Sequence, residues 1–137
     1  METGPNRTLR LLAVDDDAAS AELVVRVAER CGFEAFATSD SRGVVNLVRA
    51  LKPEIMAVDI CMPNIDALEL FKLLAADGYS GRILIVSGQE DHVLQAARNT
   101  AIDLGLVVPC IIQKPLDFRK LREMLASSEV QLAAGSA

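Results

Sequence analysis

The sequence is poor in the residues that many functional sites need. Its 137 residues include one histidine, three cysteines, one tyrosine and no tryptophan. A lone histidine, His92, excludes a metal site of several imidazoles, and no motif around it supports a Ser-His-Asp triad. Cys31, Cys61 and Cys110 are odd in number and lack C-x-x-C spacing. Neither a disulfide framework nor a zinc site is therefore indicated.

Long apolar runs and basic clusters are also missing. No segment approaches the length of a membrane span, and the N-terminal METGPNRTLR lacks the apolar core of a signal peptide. Acidic residues outnumber basic ones by 19 to 14, and the basic residues are dispersed. This argues against a nucleic-acid or anionic-membrane surface. We therefore expect a cytoplasmic protein that contacts neither nucleic acid nor membrane directly.

Short apolar runs alternate with segments of helical periodicity, which predicts five strand-then-helix units. Runs 1, 3 and 4 are almost continuously apolar, as expected for a parallel sheet covered by helices on both faces. We predict an open, doubly wound α/β domain over residues 9–126, with a disordered N-terminus at 1–8 and a flexible tail or linker at 127–137. The predicted strands are 9–14, 33–37, 54–58, 82–86 and 107–112, and the predicted helices are 18–31, 42–51, 67–76, 93–104 and 118–125.

Polar side chains stand where the predicted strands end, which is where ligands bind in such folds. Because like charges repel, a cluster of carboxylates there needs a cation, and hard oxygen ligands favour Mg²⁺. A carboxylate beside a metal, a lysine and a hydroxyl is suited to phosphoryl transfer, with Asp59 as nucleophile and Lys114 stabilising the transferred group. The strand-end residues are Asp15, Asp16, Asp17, Asp59, Ser87 and Lys114.

Each of these residues also has an ordinary structural interpretation. Asp17 and Asp66 could each be a helix N-cap, and Ser87 could be a turn residue. Capping explains Asp15 and Asp16 poorly, because one helix needs one cap. The functional interpretation depends on all these residues falling on one edge of the sheet.

Four motifs, VDDD, VDICMPNID, VSG and QKPL, occur in this order on the βα pattern, and together they resemble the receiver domain of two-component response regulators. The resemblance covers about residues 9–125 and implies a flavodoxin-like (βα)5 sheet of strand order 2-1-3-4-5. It implies that Asp59 accepts a phosphoryl group from the phosphohistidine of a sensor kinase or phosphotransfer protein. Ser87 and Lys114 would then bind the phosphoryl oxygens.

The same resemblance implies a Mg²⁺ site. Asp16, Asp59 and the backbone carbonyl of Cys61 would hold the ion, and Asp15 would act through water. A receiver is a signalling domain with at most slow self-hydrolysis, so we do not expect an enzyme.

Some positions depart from the family pattern. Ile111 replaces the aromatic switch residue expected three positions before the lysine, and Ala67 replaces a usual glycine. Cys61 and Gln89 lie where the family tunes the access of hydrolytic water.

The interval from Ser87 to Lys114, 114 − 87 = 27 positions, is longer than in compact receivers. Its NTAIDLGLVV stretch resembles receivers that precede cyclic-di-GMP phosphodiesterase (EAL) domains. We expect a tethered output domain, or a homodimer, at the face of helix 4, strand 5 and helix 5.

Two other functions stay open. VDDD also fits the D-x-D pattern of haloacid-dehalogenase-type phosphatases, with Asp15 as nucleophile and Asp17 as acid/base, although the Thr and Gly that usually follow are missing. A receiver-like scaffold that works without phosphorylation is the other alternative.

Overall fold

The computed structural model describes residues 8–61 and 67–126. Five parallel strands form one sheet in the order β2-β1-β3-β4-β5, as predicted. The strands are β1 (Arg10–Val14), β2 (Glu34–Thr38), β3 (Ile55–Val58), β4 (Arg82–Ser87) and β5 (Val107–Gln113). The helices are α1 (Ala18–Arg30), α2 (Val44–Leu51), α3 (Ala67–Ala76), α4 (Asp91–Asp103) and α5 (Phe118–Ala126).

The two faces of the sheet carry separate apolar cores, because successive strand residues point to opposite faces. One core packs strand residues such as Met56 and Ile83 against α2, α3 and α4. The other packs residues such as Ala57 and Leu84 against α1 and α5. Every residue of β3 is buried. The continuous apolar runs of the sequence therefore reflect a sheet covered on both sides.

The observed element boundaries differ slightly from the predicted ones. A 3-10 turn at Ser41–Gly43 precedes α2, where the sequence predicted a helix from residue 42. Helix α4 begins at Asp91, two residues before the predicted start at residue 93, and Glu90 is its N-cap. The predictions of a disordered N-terminus at residues 1–8 and a flexible tail or linker at residues 127–137 stay predictions. Of these residues, only Thr8 lies within the described ranges.

Strand β5 forms one edge of the sheet and is irregular. Arg82 pairs with Val107 but Leu84 pairs with Cys110, so β5 carries one extra residue between these pairs, a β-bulge. Pro109 lies in this stretch and has no N–H to donate. Arg98 of α4 donates from Nε to the Val108 carbonyl at 2.9 Å and from Nη2 to the Pro109 carbonyl at 3.4 Å. The irregular stretch of β5 is thus held by a side chain of α4.

In the described part of the chain, no helix combines the length and hydrophobicity that crossing a membrane requires.

Candidate functional site

Two carboxylates meet where neighbouring strands β1 and β3 end. Asp15 and Asp59 each follow the last residue of their strand. The Asp59 N–H donates to the Val14 carbonyl at 2.9 Å, and the Asp15 N–H donates to the Thr38 carbonyl at 3.1 Å. Each residue is only 5% exposed. The parallel pairing of the strands thus brings two acidic side chains together at one buried edge.

Lys114, which follows β5, supplies the positive charge between these carboxylates. Its Nζ lies 2.9 Å from Asp15 Oδ2 and 3.1 Å from Asp59 Oδ2, and its side chain is 21% exposed. The peptide bond between Lys114 and Pro115 is cis. One ammonium group therefore bridges two carboxylates that come from different strands.

The other oxygen of each carboxylate accepts a main-chain hydrogen bond. The Asp17 N–H donates to Asp15 Oδ1 at 2.9 Å, and the Cys61 N–H donates to Asp59 Oδ1 at 2.8 Å. Both side chains are consequently held by a loop N–H on one oxygen and by Lys114 on the other.

Burial and charge act in opposite directions on the titration of this cluster. Burial raises the pKa of Asp15, and the hydrogen bonds from Lys114 and from the Asp17 N–H only partly offset it. Burial alone would lower the pKa of Lys114, but its hydrogen bonds to Asp15 and Asp59 outweigh burial and raise that pKa. Lys114 is therefore positively charged at neutral pH.

Asp16 adds a third carboxylate on the solvent side of the cluster. It is exposed, and one oxygen each from Asp15, Asp16 and Asp59 lie within 4.8 Å of one another. The negative charge of three carboxylates exceeds the single charge of Lys114, and carboxylate oxygens suit Mg²⁺. These residues therefore fit a magnesium ion. The predicted contribution of the Cys61 carbonyl stays a prediction.

Asp17 has a structural function. It is the N-cap of α1, and its carboxylate accepts from the Ala19 N–H and from Ser20 Oγ, each at 3.0 Å. The hydrogen bond from Ser20, followed by that from Ala19, lowers the pKa of Asp17. The capping interpretation is thus confirmed for Asp17, whereas the one for Asp66 lies outside the described residues.

Ser87 is the last residue of β4 and is completely buried. Its Oγ accepts from the Gln89 N–H at 3.4 Å, and its carbonyl accepts from the Lys114 N–H at 2.8 Å. Ser87 is therefore connected to the lysine through the main chain.

Ile111 of β5 is partly buried against the apolar core that β5 shares with α2, α3 and α4.

Two residues near the site were incompletely recognised from the sequence. In the sequence Gln113 is only the first residue of QKPL, yet its Nε2 donates to the Gln89 carbonyl at 2.8 Å. Gln89 was singled out only by resemblance, and its Nε2 donates to Cys61 Sγ at 3.1 Å. Single glutamines carry no spacing signal, so only coordinates could reveal these contacts. His92 is exposed in the first turn of α4, with Nδ1 at 3.3 Å from Glu90 Oε2.

A family model for the response regulator receiver domain matches residues 11–126. The chain belongs to this family. The fold is that of solved receivers: a response regulator from Colwellia psychrerythraea superposes with a TM-score of 0.80 at 26% identity, covering 91% of this chain and 99% of that one. A signal receiver domain from Bermanella marisrubri gives a TM-score of 0.72 at 26% identity, covering 87% and 96%.

Longer proteins are similar as well. A protein-glutamate methylesterase/protein-glutamine glutaminase of Anaeromyxobacter dehalogenans is 32% identical over 96% of this chain, which corresponds to 38% of that protein. An uncharacterized response regulatory protein of Yersinia pestis is 30% identical over 85% of this chain and 47% of its own length. The chain thus spans less than half the length of these relatives.

Proposed function

We propose that Asp59 accepts a phosphoryl group from the phosphohistidine of a sensor histidine kinase or phosphotransfer protein, in a Mg²⁺-dependent reaction. The observation that carries the proposal is the Lys114 bridge between Asp15 and Asp59 at the ends of β1 and β3. A carboxylate held this way is a potential nucleophile next to a cation that can neutralise the incoming group.

In the transfer, a carboxylate oxygen of Asp59 forms a bond to phosphorus while the bond from phosphorus to the donor imidazole nitrogen breaks. The electron pair of that bond stays on the imidazole. Lys114, already 3.1 Å from Asp59 Oδ2, would bind a transferred oxygen, and the Ser87 hydroxyl would donate to another. The Cys61 N–H holds the second carboxylate oxygen and thereby fixes the orientation of Asp59.

Asp16 and Asp59 would hold Mg²⁺, with the Cys61 carbonyl as a further ligand and Asp15 acting through water. The ion would supply charge neutralisation between the carboxylate and the phosphoryl group. Asp15 and Asp59 are fixed by hydrogen bonds, whereas Asp16 is exposed to solvent. This combination supports a site that keeps positions open for water and phosphoryl oxygens.

We further propose that phosphorylation changes the face formed by α4, β5 and α5, here called the output face, for a tethered domain or a second copy. Each of its three elements carries an apolar residue about two-fifths exposed, namely Ile102, Val107 and Phe118. A cyclic-di-GMP phosphodiesterase (EAL) domain as the tethered partner rests on sequence resemblance alone. In this proposal the domain is a cytoplasmic switch and not an enzyme.

The test is incubation with acetyl phosphate and Mg²⁺, followed by intact mass and peptide localisation. We expect one phosphoryl addition on Asp59, lost in Asp59→Asn and kept in the surface control Asp103→Asn. Addition on Asp15 would instead support the phosphatase alternative. No addition from acetyl phosphate or from a phosphohistidine donor would contradict the proposal and favour a phosphorylation-independent scaffold.

A further inference from the structure

Two consecutive residues at the end of β5 hold the loop that follows β4. Gln113 pairs in register with Ser87, and its side-chain Nε2 donates to the Gln89 carbonyl at 2.8 Å. The Lys114 N–H donates to the Ser87 carbonyl at 2.8 Å. The two ends of the Ser87-Gly88-Gln89 turn are therefore both fixed from β5, one by main chain and one by a side chain.

The fixed turn places the Gln89 side chain against the neighbouring loop. Gln89 Nε2 donates to Cys61 Sγ at 3.1 Å, and the Cys61 N–H donates to Asp59 Oδ1 at 2.8 Å. Three hydrogen bonds, which meet through different groups of Gln89 and of Cys61, thus connect Gln113 to Asp59. They join the loops after β3 and β4 along one side of the acidic cluster.

Gln113 makes a side-chain hydrogen bond, which Ile111, two residues earlier on the same strand, cannot make. Residues two apart on a strand point to the same face, so Gln113 and Ile111 share the face towards α4. Ile111 has only an apolar side chain, partly buried against that core. Gln113 is exposed, so its bond to Gln89 competes with water and can be released without opening the core.

We propose that Gln113 is a positioning residue that holds the loop after β4, and with it the Gln89 side chain against Cys61, and thereby slows hydrolysis of phosphorylated Asp59. The inference rests on the proposed function. In the hydrolysis, a water oxygen forms a bond to phosphorus while the bond from phosphorus to the Asp59 oxygen breaks. The products are the free carboxylate and inorganic phosphate.

The test compares Gln113→Met, which has similar length but no donor, with Gln113→Lys, which restores a donor. Matched controls are Gln95→Met and Gln95→Lys at an exposed glutamine of α4. Two quantities are measured: amide hydrogen exchange of residues 88–90 without phosphate, and the decay rate of the phosphorylated protein made with acetyl phosphate. Both should increase about fivefold in Gln113→Met, the ratio that corresponds to one hydrogen bond of about 1 kcal/mol.

Gln113→Lys should return both rates to nearly the wild-type values, and neither control should change them. Unchanged exchange in Gln113→Met would overturn the proposal, as would equally fast decay in both Gln113 variants. If the wild-type protein takes no phosphoryl group on Asp59, the proposed function fails, whereas the exchange of residues 88–90 still decides whether Gln113 holds the loop.

Discussion

Lys114 Nζ lies 2.9 Å from Asp15 Oδ2, although the two residues are 99 positions apart in the chain. The contact joins the end of the first strand to the end of the last one. It also places a cation between two carboxylates that would otherwise repel each other. The site and the stability of the sheet edge therefore depend on the same ammonium group.

Replacing Lys114 by Gln should lower the free energy of unfolding in Mg²⁺-free buffer, because two buried carboxylates would lose their counter-ion. We expect a loss of roughly 1–3 kcal/mol, less than for a fully buried pair, since Lys114 is partly exposed to solvent. Mg²⁺ should stabilise the variant more than the wild type, because an added cation can replace the missing charge. Urea unfolding with and without Mg²⁺ measures both effects, with exposed Lys72→Gln as control; equal losses in the two variants would contradict the prediction.

Replacing Asp16 by Asn should weaken stabilisation by Mg²⁺ while leaving the metal-free protein almost unchanged. Asp16 is exposed, so its removal should alter stability without metal by no more than about 0.5 kcal/mol. Thermal unfolding during a Mg²⁺ titration is the measurement, and Asp103→Asn on α4 is the matched control. If Mg²⁺ raises the unfolding temperature of Asp16→Asn as much as that of the control, Asp16 is not a ligand.

Gly81→Ala should destabilise the fold by about 2–3 kcal/mol through overpacking. A Cβ at residue 81 would overlap the Tyr79 hydroxyl and lie 2.8 Å from the Glu54 carbonyl oxygen. The Tyr79 hydroxyl donates to the Pro53 carbonyl at 2.9 Å and cannot move without losing that bond. Denaturant unfolding against Gly43→Ala, where a Cβ meets nothing within 4 Å, provides the comparison. A smaller loss at Gly81 than at Gly43 would show that the turn adapts.

Tyr79 should ionise only when the protein unfolds. Burial, followed by the nearby Glu54 charge, raises its pKa well above the ordinary value. The folded state favours the neutral phenol, so the stability it contributes is complete below pH of about 10 and is lost as pH rises further. Tyr79 is the only tyrosine and there is no tryptophan, so alkaline difference absorption reports on it alone. Ionisation near pH 10 with the circular dichroism still native would disprove the prediction.

The sequence predicted the sheet well because burial on both faces leaves a strong pattern. The strands β1, β3 and β4 are apolar along almost their whole length, and this pattern predicted where they lie. Polar residues stand where these strands end, and their position predicted Asp15, Asp59 and Ser87 as site residues. The short 3-10 turn before α2 was missed because its few residues have no helical period of their own.

The contacts within the site were less accessible from sequence. Strand-end positions suggest that Asp15, Asp59 and Lys114 are near one another, but the choice of oxygens bridged by Nζ depends on loop geometry. The link from Gln113 to Gln89 depends on the register of two strands, β4 and β5, which are separated in the chain by helix α4 and its loops, residues 88–106. Parallel strands are joined by a long crossover, so no tight turn fixes which of their residues pair.

The irregular β5 edge limits how this domain can associate with other molecules. Pro109 lacks an N–H, the bulge interrupts the ladder, and Arg98 occupies the Val108 and Pro109 carbonyls. A bulge and a proline make an edge strand a poor template for an added strand, so we expect continuation of the sheet beyond β5 to be disfavoured. A partner on this side would then be recognised through side chains, and a few surface residues would decide which partner binds.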